Sequence, residues 1–195
     1  MIIGSRIPKE YVRVKGAGQA TFGPGIDPWE TAAYDIALLN AGIENCNIVA
    51  YTSVIPPEAE EIPLQLAIDS GYLHHGMVLE CIKSQVNGNQ GDHICAGVGT
   101  CHVYQRKCLG IGTRSELVHI GGFAAEYEGH GSPERAKDAL EEALDGIVER
   151  RYGRNPDYVI KDHEYTIQDL IVDDDYGCVV VALGFVRFVV LDYDK

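Results

Sequence analysis

Asn47-Ile48-Val49-Ala50-Tyr51-Thr52-Ser53-Val54-Ile55-Pro56-Pro57-Glu58 is the stretch from which the fold and the chemistry are read. Its apolar, β-branched run predicts a strand over 47–54. The Pro56-Pro57 pair stops it, because neither proline has an N–H for a ladder and each fixes its own φ. Proline also drives the residue before it, here Ile55, into extended backbone. Thr52 and Ser53 therefore stand at the end of a buried strand beside a stiff exit, where a hydroxyl could attack a neighbouring backbone carbonyl. If the period of 2 is unbroken, Asn47, Val49, Tyr51 and Ser53 share one face. Taken alone, a Thr-Ser pair is an ordinary strand end with two hydroxyls.

Upstream, Asp27-Pro28-Trp29-Glu30 reads as a helix start, with Asp27 as N-cap, Pro28 at N1 and Glu30 completing a capping box. The helix is expected over 28–40, stopped by Gly42. Ala32, Ile36 and Leu39 form its apolar stripe, with Asp35 and Leu38 alongside. Earlier still, Tyr11–Val14 alternates like a short strand, and Gly16, Gly18, Gly23, Pro24 and Gly25 mark a loop.

Downstream, 58–72 is rich in proline, glycine and acids and reads as irregular. A hairpin is expected from strands over 77–86 and 93–104 around the turn at 87–92. The next strand, 117–127, puts Ala124, Glu126 and Glu128 on one face. Ser132-Pro133 opens a long helix. Ala136, Ala139, Leu140, Ala143, Leu144, Ile147 and Val148 follow helical spacing, and Gly153 ends it. Two last strands, 158–170 and 178–192, flank an acidic turn at 173–175. The pattern is α+β, a mostly antiparallel sheet covered by helices in a single domain of 195 residues.

The formal net charge of −13 repels phosphate backbones and anionic lipids, so neither nucleic acid nor a membrane is expected as a partner. No basic-then-apolar leader and no run of ~18 apolar residues is present, which points to the cytoplasm. The six cysteines are then expected as reduced thiols. Cys95, Cys101, His102 and Cys108 lack the paired spacing of structural zinc, and Cys101 and His102 face opposite ways on a strand, so no metal is expected.

In order and spacing, Asp35-Ile36-Ala37-Leu38-Leu39-Asn40-Ala41-Gly42-Ile43, then Asn45 and Asn47, then Thr52-Ser53 with Pro56-Pro57-Glu58-Ala59, and Glu126-Tyr127-Glu128-Gly129 resemble the pyruvoyl-dependent arginine decarboxylases. The resemblance is dense over 35–60 and 126–129 and loose over 73–121. Thr52 stands where serine is common in that family; the attacking hydroxyl is that of Ser53, so no loss is expected. The resemblance implies a layered sandwich that forms homotrimers, with hexamers left open. It implies a proenzyme cut between Thr52 and Ser53 into residues 1–52 and 53–195, Ser53 becoming a covalent pyruvoyl group. That group would take the α-amine of arginine as a Schiff base and release CO₂ and agmatine. The resemblance implies Glu126 as proton donor and Asp35, with Leu38, as substrate-binding residues. Asn47 is the candidate donor to the Thr52 oxyanion during processing, on the strength of its shared strand face with Ser53. Three alternatives stay open: a pyruvoyl decarboxylase of another amino acid, a non-catalytic ligand-binding trimer, and a self-cleaving hydrolase that keeps Ser53.

Overall fold

A computed structural model describes residues 5–21, 29–108 and 115–190. Its elements in chain order are β1 (Arg6–Ala20), α1 (Trp29–Ala41), β2 (Asn47–Ala50), β3 (Val54–Ile55), β4 (Glu60–Glu61), α2 (Leu64–Asp69), β5 (Val78–Asn89), β6 (His93–Cys108), β7 (Ser115–His130), α3 (Pro133–Tyr152), β8 (Tyr158–Ile171) and β9 (Tyr176–Val190). The strands form a five-stranded sheet, β2-β5-β9-β1-β4, and a four-stranded sheet, β3-β7-β6-β8. The pairs β1/β4 and β2/β5 are parallel and the others antiparallel. The α+β sandwich read from the sequence is therefore present, as two stacked sheets with a helix outside each.

Strand β9 shows why. Cys178, Val180 and Ala182 pack under α1, while Val179, Val181, Leu183 and Phe185 fill the space between the sheets. A strand buried on both faces reads as a continuous apolar run. The outer layer on the other side is α3, whose Leu140, Leu144 and Val148 are buried on Cys101, Val103, Phe123 and Ala125. Each fully buried leucine there contributes ~1.5–3 kcal/mol.

Five expectations are corrected. Gly16 and Gly18 lie in β1, which is much longer than Tyr11–Val14, and they face α1. A Cβ at Gly16 would sit 2.1 Å from Ala37 O and one at Gly18 2.3 Å from Ala33 O, so the helix backbone lies directly on the strand. That contact sets the phase of α1: Ala33, Ala37, Leu38 and Ala41 are buried, while Leu39 is 56% exposed. The expected strand over 47–54 is broken, since β2 and β3 belong to different sheets. The 58–72 segment carries β4 and α2. Strands β5 and β6 are not a hairpin: the turn between them carries the chain from one sheet to the other. The Asp27-Pro28 helix start, Gly23, Pro24, Gly25 and the end of the last strand lie outside the described residues.

Candidate active site

The two halves of the broken strand meet at Thr52 and Ser53. Tyr51 N–H donates to Cys81 O at 2.8 Å, the last bond of the β2/β5 ladder. Ala124 N–H donates to Ser53 O at 3.0 Å, the first bond to β7. Between those points the Thr52–Ser53 peptide spans the gap between the sheets. Thr52 is exposed and Ser53 half-buried. Beyond it, Val54 pairs with Phe123 and Ile55 with Gly122 before Pro56 and Pro57 end the strand.

The partner strand brings Glu126 to this point. Ser53 lies opposite Ala124, and Ala124 points into the core between the sheets. Two residues on, Glu126 is on the same strand face, and two further on, so is Glu128. Ala124, fully buried, places only a methyl group opposite Ser53. The two carboxylates are held differently. Glu128 Oε1 accepts Gln85 N–H at 3.0 Å, from the rim of the facing sheet. Glu126 is exposed in the single protomer, yet the surrounding protein withdraws enough water from its carboxyl group to push the pKa up; the Glu128 charge adds to this and its own backbone N–H opposes it. Glu126 thus lies two residues along β7 from the position opposite Ser53, with its pKa raised.

Asp35, Leu38 and Asn47 are elsewhere in the protomer. Asp35 is exposed on α1, outside the five-stranded sheet, whereas Leu38 is 7% exposed and packed in the core beneath the helix. The Asn47 side-chain amide donates to Gly76 O at 3.0 Å. Four residues of extended strand separate Asn47 from Tyr51, about 13 Å, and the break after Ala50 removes the shared face on which its pairing with Ser53 was argued. Of the residues singled out, the fold gathers Thr52, Ser53 and Glu126.

Two features escaped the sequence reading. Glu80, on β5, pairs with Arg6 beside Tyr51. Arg13 ties the sheets together at the far edge, Nε to Glu61 at 2.6 Å and one terminal nitrogen to Thr100 Oγ1 at 2.8 Å and Glu164 at 2.6 Å. Both rest on pairs more than forty residues apart, for which local pattern gives no signal. Of the Cys and His residues, Cys95 and Cys101 are buried thiols pushed up to about 11 by desolvation, and His102 meets His119 at 3.0 Å. Among the described residues no His, Cys, Asp and Glu side chains converge on a metal-binding arrangement, and no helix is long and apolar enough to cross a membrane.

A family model described as pyruvoyl-dependent arginine decarboxylase matches residues 10–190. The chain is 34% identical over 203 residues to the pyruvoyl-dependent arginine decarboxylase AaxB of Chlamydia caviae, covering 96% of this chain and 95% of that one. It is 39% identical to AaxB of Chlamydia pneumoniae over 65% of this chain and 62% of that one. A pyruvoyl-dependent arginine decarboxylase of Methanopyrus kandleri is 44% identical over 55 residues, 28% of this chain and 32% of that one.

Proposed function

Because the chain belongs to the pyruvoyl-dependent arginine decarboxylase family and is a lyase acting through a covalent pyruvoyl group, we propose that it cuts itself between Thr52 and Ser53 and converts L-arginine to agmatine and CO₂. The observation that carries this reading is the meeting of Ser53 and Glu126 on one face of one sheet edge, with Ala124 between them. The residues present fit the group: Ser53 would supply its atoms, and the residue opposite it is a small alanine.

In processing, Ser53 Oγ attacks the Thr52 carbonyl carbon and the acyl group moves from N to O. The ester then loses the Thr52 carboxylate by β-elimination, and hydrolysis of the resulting dehydroalanine expels ammonia. The products are residues 1–52 and 53–195 of one domain, the second blocked at its N-terminus by the pyruvoyl group. That group, held where Ser53 stands, would supply a carbonyl to accept the α-amine and to hold the electrons left by departing CO₂. Glu126 would then deliver a proton to the α-carbon, a role that desolvation favours by holding its pKa above the ordinary carboxylate value.

Asp35 is the proposed guanidinium ligand, by bidentate carboxylate geometry that an ammonium cannot match; Leu38 lines the same helix. Asp35 lies on the outer layer and Ser53 on the edge between the sheets, so these roles combine where a second copy abuts the first. A homotrimer, or a hexamer of paired trimers, provides such a contact, and exposed Val49, Val54 and Val78 are apolar surface for it to cover. A role for Asn47 in processing likewise runs through such a contact. The experiment is a denaturing gel with the mass of the C-terminal fragment: two bands and a pyruvoyl terminus are expected, and one band for Ser53→Ala. A whole wild-type chain overturns the reading in favour of a binding protein, and a fragment with a free Ser53 amine in favour of a hydrolase.

A further inference from the structure

Tyr51, the residue before Thr52, is held from three sides. Its backbone closes the β2/β5 ladder on Cys81 O at 2.8 Å. The Tyr51 ring packs on Phe185, with centroids 5.7 Å apart. Its hydroxyl shares the Glu80 carboxylate with the Arg6 guanidinium, and that guanidinium lies over the Phe188 ring at 4.3 Å. The Glu80 side chain is 13% exposed and that of Arg6 51%, so the pair lies at the solvent boundary with the carboxylate on its inner side.

One residue past the peptide, Ser53 is fixed by its bond from Ala124. Two anchored residues thus flank Thr52, and they belong to different sheets. Attack of Ser53 Oγ on the Thr52 carbonyl closes a five-membered ring, which requires one face of that carbonyl to be turned toward the hydroxyl. With Tyr51 loose, Thr52 would sample several backbone wells and spend little time in that geometry. We infer that Tyr51 is a positioning residue for self-cleavage: seated on Phe185 and tied to the Glu80–Arg6 pair, it fixes the Thr52 carbonyl in front of the Ser53 hydroxyl.

The inference rests on the self-processing reading above. The test follows the loss of full-length chain after cell-free synthesis of wild type, Tyr51→Ala, Tyr51→Phe and Glu80→Gln. Melting temperatures of the same three substitutions are measured in the non-cleaving Ser53→Ala background. Tyr51→Ala is expected to slow cleavage roughly 5- to 30-fold, the equivalent of ordering one residue's backbone. Tyr51→Phe keeps the ring contact and is expected to recover most of the rate. Glu80→Gln, which leaves the core intact, is expected to fall between the two with its melting temperature kept. Cleavage of Tyr51→Ala and Glu80→Gln at the wild-type rate overturns the inference alone. So does slowing that follows a fall in melting temperature in all three variants, which marks a merely structural role. A wild-type chain that stays whole overturns the processing reading and the inference with it.

Discussion

The two long edges of the sandwich are built in opposite ways. At the β4–β8 edge, Arg13 is 11% exposed and reaches across the gap, binding Glu61 on its own sheet and Thr100 and Glu164 on the other. At the β2–β3 edge the strands are four and two residues long, and among the described residues no ion pair joins the two sheets there. There the backbone itself joins the sheets, through Tyr51, Thr52 and Ser53, with Ser84 Oγ on Tyr127 O and Glu128 on Gln85 N behind it. An edge closed by charges resists opening. An edge closed by one run of backbone leaves a peptide bond accessible, and that bond is the one proposed to break.

If this contrast holds, substitutions at the β2–β3 edge remove chemistry and those at the β4–β8 edge remove stability. The largest effect is expected from Glu126→Gln. The chain should still be cut, while turnover per cut chain falls ~10²–10⁴-fold, the usual loss on removing a positioned acid. Glu128→Gln, whose partner is a backbone N–H, should fall less. Equal turnover of Glu126→Gln and wild type would break the comparison at its chemical end.

Next comes Asp35→Ala. It should raise KM for arginine at least ~30-fold, the lower end of what losing one partner of a charge pair costs, and leave the cut intact. Side-by-side assays with arginine, ornithine, lysine and histidine check it; a preference for any but arginine removes Asp35 from the role.

At the other edge, Arg13→Met leaves Glu61 and Glu164 facing one another without their cation. A loss of ~1–3 kcal/mol is expected in urea unfolding of the Ser53→Ala chain, reduced because both carboxylates are partly exposed. Turnover per cut chain should stay within about twofold of wild type, a margin far below the loss from a positioned acid.

The smallest effect is a pH dependence. Desolvation, then Glu128, holds the Glu126 pKa above its unfolded value. The stability this group supplies is therefore full below the ordinary carboxylate range and lost as pH rises through the raised value. In the Ser53→Ala background, Glu126→Gln should melt slightly above its parent at neutral pH and lose that advantage in acid. A constant difference across pH would remove the assigned cause.

What the sequence made legible follows from where its information is local. Helix α3 was readable because its seven apolar positions, proline start and glycine stop are all within twenty-two residues. The faces of Ala124, Glu126 and Glu128 were readable because β7 keeps its period through them. The phase of α1 was not, since it is set by Gly16 and Gly18 on another element, and glycines in a strand look like a loop until the helix lying on them is seen. The exchange of sheets at Thr52 was hidden for a related reason: β2 and β3 read as one apolar run, and which sheet each half joins depends on β5 and β7.

Strand β1 lies between β9 and β4, matched to β9 from Arg6↔Val190 to Ala20↔Tyr176. It lies upstream of Thr52, so a cut chain would consist of two polypeptides sharing one interior. Unfolding would then set two molecules free where the uncut chain releases one. Recovery from denaturant would become a second-order encounter, richer in native protein the more concentrated the solution, whereas the uncut chain closes on itself at a fixed rate. Biosynthesis would accordingly have a direction: the sheet would have to be complete before the bond was severed, and a molecule unfolded afterwards would have lost the tether that first brought its halves together.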